Sequence, residues 1–128
     1  MRIFCMVLLI SCFLSACAGS GVKQSEQRHQ ALQNAVAGLK DLKSDKPILA
    51  YNKLKLAQSQ APDEPQVLLA WAYYLQHEKQ YVGANAVYLR AIAKDRTRSD
   101  SYNSYGAFLC QRGSLKQAKE QFLLAHLH

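Results

Sequence analysis

Leu68-Leu69-Ala70-Trp71-Ala72-Tyr73-Tyr74-Leu75 is followed 34 residues later by Tyr102-Asn103-Ser104-Tyr105-Gly106-Ala107-Phe108-Leu109, and the pairing of these two stretches decides the fold. Leu68 aligns with Tyr102, Trp71 with Tyr105, Ala72 with Gly106 and Leu75 with Leu109. The same shift then pairs Tyr81 with Leu115, Ala84 with Ala118, Tyr88 with Phe122 and Ala91 with Ala125. Apolar residues recurring at three- and four-residue intervals mark one face of an α-helix. Each unit carries two such stretches and is therefore a helical hairpin. Small residues at Ala72, Gly106, Ala84 and Ala118 let paired helices approach closely, while Trp71, Tyr88, Tyr105 and Phe122 fill the space between them.

A 34-residue period with this order of large and small residues resembles the tetratricopeptide (TPR) pattern. The resemblance implies an all-α solenoid of helical hairpins. One step back along the chain, Gly38, Ala50, Leu54, Ala57 and Pro62 fall at the expected places, but Asn34 and Asp41 occupy positions that should be apolar. Three hairpins are expected, at about 27–60, 65–94 and 99–128, in repeats of about 31–64, 65–98 and 99–128. The three prolines, at 47, 62 and 65, all read as boundaries. Pro47 suits a first helical turn, with Asp45 as a possible cap. Ser114 to Gln117, just after Gly113, has the form of a capping box behind a glycine stop.

The N-terminus carries a different signal. Met1-Arg2 precedes an apolar run of 12 residues, Ile3 to Leu14, which as a helix spans about 18 Å against a hydrocarbon core of about 30 Å. Such a run is a leader, not a membrane span. It ends in Leu14-Ser15-Ala16-Cys17, whose small residues admit a peptidase; the arrangement resembles bacterial lipoprotein precursors, in which the cysteine is acylated and becomes the new N-terminus. Residues 1–16 are accordingly expected to be a signal peptide, and 17–26 the lipidated Cys17 with a flexible polar tether; 27–128 would be the TPR domain. An ordinary secretory signal with an incidental cysteine is the competing reading.

The full chain of 128 residues has a formal charge of +7. Arg2 is the only Lys or Arg in residues 1–16, so the remainder keeps 15 basic side chains against all nine acidic ones. That balance favours acidic partners or anionic headgroups, and an export signal argues against nucleic acid. Cys5 and Cys12 leave with the leader and Cys17 is taken by lipid, leaving Cys110 as a lone thiol without an intramolecular disulfide partner.

Signatures of chemistry are missing. The chain has no HExxH, paired CxxC, glycine-rich phosphate loop or nucleophile elbow. His126 and His128 lie two apart and point different ways on a helix, so with Cys110 they make a poor metal site. His77 with Glu78 at a helix end reads as a dipole contact. Thiol chemistry at Cys110 near Arg112 is a remote third reading. No enzyme activity, cofactor, metal or small-molecule substrate is expected. Lys94, Arg96 and Arg98 read either as solvated turn charges or as a docking patch for an acidic partner.

Function is thus expected from a surface. In a TPR stack the first helix of each hairpin lines a groove; the candidates here are Leu39, Leu42, Leu69, Tyr73, Gln76, Asn103, Ala107 and Gln111. The alternative is that Leu69 and Tyr73 only contact the neighbouring hairpin. Chaperone-binding TPR domains hold a C-terminal carboxylate with Lys, Asn and Arg, but the matching places hold Ala35, Leu39, Ala70, Asp100 and Ser104, which argues against a cytosolic co-chaperone.

Asn103-Ser104-Tyr105-Gly106-Ala107-Phe108-Leu109-Cys110, followed by Gly113 and Ala118, resembles the type IV pilus biogenesis and stability lipoproteins, the PilF/PilW family of pilotins. The resemblance covers the whole chain in architecture and residues 99–125 in motif. It implies an outer-membrane lipoprotein that faces the periplasm of a Gram-negative bacterium and helps the pilus secretin assemble. A TPR lipoprotein scaffolding outer-membrane protein assembly or peptidoglycan enzymes is the alternative. Family members carry further repeats, and this reading expects a C-terminally truncated form in which Leu115, Phe122 and Leu123 lack cover and Cys110 lacks a disulfide partner.

Overall fold

The computed structural model describes the chain fully from residue 19 onward and, before that, only the path of the first helix. The expected leader at 1–16 and the acylated Cys17 lie outside the described residues. Among the described residues six helices follow one another: α1 (Arg2–Lys43), α2 (Pro47–Gln60), α3 (Pro65–His77), α4 (Tyr81–Lys94), α5 (Ser99–Gln111) and α6 (Leu115–Leu127). They pair as α1 with α2, α3 with α4 and α5 with α6. The first helices form an inner layer, α1 on α3 and α3 on α5, while α2 and α4 each also pack on the next inner helix. The result is an all-α helical-hairpin solenoid.

Close approach of the helices rests on alanine. Ala50, Ala57, Ala72, Ala84 and Ala91 are fully buried, and Ala118 and Ala125 nearly so. Two apolar clusters fill the junctions: Ala31, Ala35, Leu54, Ala57, Val67 and Ala70 between the first and second hairpins, and Tyr88, Tyr105, Phe108 and Leu109 with four smaller neighbours between the second and third. Trp71 and Tyr74 border both. Their rings stack with centroids 5.1 Å apart, and Tyr51 of α2 tilts against each.

The first repeat shows how its two polar intruders are accommodated. Asn34 donates to Gln60 Oε1 at 2.9 Å, and Lys53 Nζ stands 2.5 Å from Asp41 Oδ2. Asp41 and Lys53 occupy the places that Leu75 and Val87 fill one repeat later. An apolar pair has been exchanged for a polar one on both helices at once, so neither charge is left alone.

Helix ends depart from the expected caps. α1, α3 and α5 all close with the same pair of backbone bonds: Asp45 N to Leu42 O and Lys46 N to Asp41 O, Lys79 N to Gln76 O and Gln80 N to Leu75 O, Gly113 N to Cys110 O and Ser114 N to Leu109 O. This is the Schellman turn, which needs a left-handed residue just past the helix. Asp45 (φ 56°), Lys79 (φ 60°) and Gly113 (φ 80°) supply it at 34-residue intervals. Asp45 therefore ends α1 and does not cap α2, whose N-cap is Lys46. Ser114 does sit at the N-cap of α6 but makes no side-chain capping bond, so no capping box forms.

The left-handed conformation costs a non-glycine residue about 1–2 kcal/mol, while glycine adds unfolded-state entropy worth about 0.5–1 kcal/mol. Lys79→Gly is therefore expected to stabilise the fold slightly, raising the thermal midpoint by a few degrees; a lowered midpoint would contradict this account of the turn.

Residues 19–26, expected as an irregular tether, continue α1 as helix with every side chain exposed. Once the packed part of α1 is formed, each further residue adds a hydrogen bond without a new nucleation cost, and no proline interrupts. Gln30 Nε2 donates to Glu26 Oε1 at 3.1 Å one turn back. Ser25 Oγ donates to the Val22 carbonyl at 2.8 Å.

Candidate protein-binding groove

The inner layer presents a cavity of about 340 Å³, lined by Leu39 of α1, by Gln66, Leu69, Ala70, Tyr73 and Gln76 of α3, by Tyr88 of α4, and by Ser104, Ala107 and Gln111 of α5. Leu39, Tyr73 and Ala107 occupy one repeat position, 34 residues apart, and form a row across its floor. Ala107 is the smallest of the three, and its truncated side chain leaves the space. Leu69 is half-buried against the second apolar cluster while also lining the cavity. Tyr73 stays 40 % exposed, its ring available to a partner.

Of the residues expected in the groove, Leu39, Leu69, Tyr73, Gln76, Ala107 and Gln111 are brought together here. Asn103 is not: it is exposed and does not line the cavity. It shares its repeat position with Leu69. Leu42 is also absent from the lining, being 3 % exposed beneath the α1–α2 packing. Gln66, Ser104 and Tyr88 were missed by the groove assignment. Tyr88 comes from α4, a second helix, and lines the cavity with its hydroxyl bonded to Gln76 of α3.

A hydrogen-bonded chain closes the α5 side. Tyr88 OH donates to Gln76 Oε1 at 2.8 Å, and Gln76 Nε2 donates to Gln111 Oε1 across α3 and α5. Burial raises the Tyr88 hydroxyl well above the usual tyrosine range, so it stays protonated and remains a donor. None of the ten lining side chains is acidic or basic.

The packing residues expected from the repeat sit at the helix junctions, with one departure. Phe122 packs against Gly106, where an added Cβ would lie 2.8 Å from the ring, yet Phe122 remains 41 % exposed. Leu115 and Leu123 are exposed as well. With Cys110, Ala118, Lys119 and Phe122 they line a shallow depression of about 300 Å³. Cys110 is a free, exposed thiol.

The remaining candidates are held apart from the groove. Among the described residues no three His, Cys, Asp or Glu side chains gather as a metal site. His128 stacks on Tyr102 with ring centroids 5.4 Å apart, and His77 Nδ1 lies 3.2 Å from Glu78 Oε1. In the last turns of α4, Arg90 and Lys94 both pair with Asp63, and after the turn that follows Arg98 pairs with Asp100. Lys94 and Arg98 are thus already ion-paired, Lys94 sharing its carboxylate with Arg90, and Arg96 uses its backbone carbonyl to accept from Tyr102 OH at 3.0 Å.

No known family profile matches the chain. An uncharacterised protein of Haemophilus influenzae is 29 % identical over 111 residues, which cover 87 % of this chain and 62 % of that one. Among solved structures, that of the functional characterisation of Pseudomonas aeruginosa pilF aligns with a TM-score of 0.70 and 26 % identity, over 80 % of this chain and 45 % of the other. The second TPR of Spaghetti (RPAP3), bound to the HSP90 peptide SRMEEVD, aligns at 0.65 with 20 % identity over 81 % of this chain and 95 % of its own. The chain therefore spans about three-fifths of the Haemophilus relative and under half of the pilF chain. The fold is of TPR type. With an open groove on its inner layer, it is the architecture of a protein–protein interaction module.

Proposed function

We propose that this protein is a lipid-anchored TPR adaptor of the bacterial outer membrane that assists the type IV pilus secretin by binding it through the inner-layer groove. The likeness in fold to Pseudomonas aeruginosa pilF carries this reading, and the lipobox at Leu14 to Cys17 supports it independently. The groove's lining argues against the ligand class seen with the Spaghetti TPR. SRMEEVD is acidic, whereas Ala35, Leu39, Ala70, Asp100 and Ser104 offer no cation at the clamp places. Helical residues 19–26 add a geometric consequence: they place a helical spacer of about 12 Å between residue 19 and Gln27, where the expected TPR domain begins.

Anchoring confines the search for a partner to a surface and raises its effective concentration. Acyl chains contribute about 0.8 kcal/mol per buried CH₂, so two or more of them hold a protein against salt washing. Wild-type protein is expected to sediment with outer membranes through a high-salt wash, and Cys17→Ser to appear in the soluble periplasmic fraction with less assembled secretin. Release of wild type by salt would overturn the anchor. Unchanged secretin multimers after gene deletion would overturn the pilus role.

A further inference from the structure

The Tyr88–Gln76–Gln111 chain has a direction, and the direction fixes what the groove offers a ligand. Among the described residues, the one hydrogen-bond partner of the buried Tyr88 hydroxyl is Gln76. If the Gln76 amide were turned to donate to Tyr88, the phenol proton would lose its acceptor, and an unsatisfied buried donor costs about 1–3 kcal/mol. Gln76 Oε1 therefore faces Tyr88, its Nε2 faces Gln111 Oε1, and Gln111 is left with Nε2 as its free end. An amide nitrogen carries two protons and no acceptor. The exposed end of the relay is thus a hydrogen-bond donor at the rim of an apolar floor.

The lining also sets the charge of the occupant. With no acidic or basic side chain around the cavity, a charged group entering it would be desolvated without a counter-ion. The basic excess of the chain acts elsewhere on the surface. We propose that the groove takes an extended, uncharged segment of a partner protein, seating one large aliphatic or aromatic side chain over Leu69, Tyr73 and Ala107 while a backbone carbonyl of that segment accepts from Gln111 Nε2. This rests on the groove being the partner site, as proposed above, and adds the chemistry of what it recognises. A protein segment fits better than a fatty acid, because the peptide carbonyl is a neutral acceptor whereas a carboxylate would be desolvated here without a counter-ion.

The test is a titration of the ¹⁵N-labelled full chain, followed by amide and side-chain NH₂ resonances. The probes are the blocked peptide acetyl-Ser-Gly-Leu-Phe-Leu-Gly-Ser-amide, its counterpart with both leucines replaced by glutamate, and decanoic acid. The neutral peptide is expected to shift Tyr73 and the Gln76 and Gln111 side-chain amides saturably, and the acidic one to bind about tenfold more weakly or worse. Gln111→Glu, which replaces the donor by a charged acceptor, is expected to weaken the neutral peptide about tenfold. Tyr88→Phe is expected to weaken it a few-fold by freeing the Gln76 amide to turn; an unshifted Tyr73 resonance in the unliganded variant shows that the groove still folds. If the acidic peptide or decanoic acid binds at these resonances as well as the neutral peptide, or if Gln111→Glu has no effect, the neutral-segment inference fails while the groove reading stands. If no probe moves these resonances at millimolar concentration, the groove reading fails with it.

Discussion

Tyr88→Ala is expected to destabilise the fold by about 3–5 kcal/mol, the range for emptying a large aromatic from a packed core. Tyr88 is 2 % exposed, its ring lies 5.2 Å from Phe108 and 6.0 Å from Tyr105, and its hydroxyl is bonded to Gln76. Truncation leaves a cavity between the second and third hairpins and an unpaired acceptor on Gln76. Phe122 holds the same repeat position but is 41 % exposed, so Phe122→Ala is expected to cost about 1 kcal/mol. Chemical denaturation of both variants checks the pair. Equal losses would mean that the second and third hairpins are not packed as described.

Gly38→Leu is expected to be comparably damaging. A Cβ at Gly38 would stand 2.8 Å from Leu54 Cγ and 3.3 Å from the Ala50 carbonyl oxygen. Leu54 is fully buried and cannot swing aside, and the carbonyl belongs to the backbone of α2. Forcing four carbons into this crossing must separate α1 from α2, at about 3 kcal/mol or more. At Gly106 the three atoms nearest an added Cβ all belong to the Phe122 ring, which is 41 % exposed and can shift, so Gly106→Leu is expected to cost about 1–3 kcal/mol. Thermal melts in which Gly38→Leu is the milder change would contradict the account of the first hairpin.

The repeat carries most of what could be read without coordinates. Apolar pairs such as Leu75 with Leu109 and Ala84 with Ala118 belong to a packing pattern whose period survives substitution within a size class, so the helical-hairpin solenoid follows from them. Features that depend on pairs across helices did not follow. Asn34 and Asp41 looked like defects because each was read alone; Gln60 and Lys53, one helix away, are their partners. Asp45 and Lys79 gave no hint of left-handed backbone because glycine marks that turn only at Gly113. Residues 19–26 looked irregular because their composition is polar, yet a helix already anchored by packing extends through polar residues at little cost.

The groove was legible as a row of positions and not as a cavity. Leu39, Tyr73 and Ala107 could be placed by periodicity, but the hollow depends on the smallness of Ala107 beside Tyr73. The direction of the amide relay depends on Tyr88, which belongs to another helix. Asn103, at the Leu69 position of the next repeat, is exposed and does not line the cavity, because periodicity assigns a position and not the hollow it faces.

The central claim is that the inner-layer groove holds the partner protein, and site-specific photocrosslinking in living cells tests it most directly. A benzophenone amino acid placed at Tyr73 reaches into the cavity. The same group at Val82, 89 % exposed and outside the cavity lining, serves as the control. The account predicts a covalent adduct with the outer-membrane pilus secretin from the Tyr73 position and none from Val82. A secretin adduct from Val82 alone, or none from Tyr73 while the protein remains folded and membrane-bound, would contradict it.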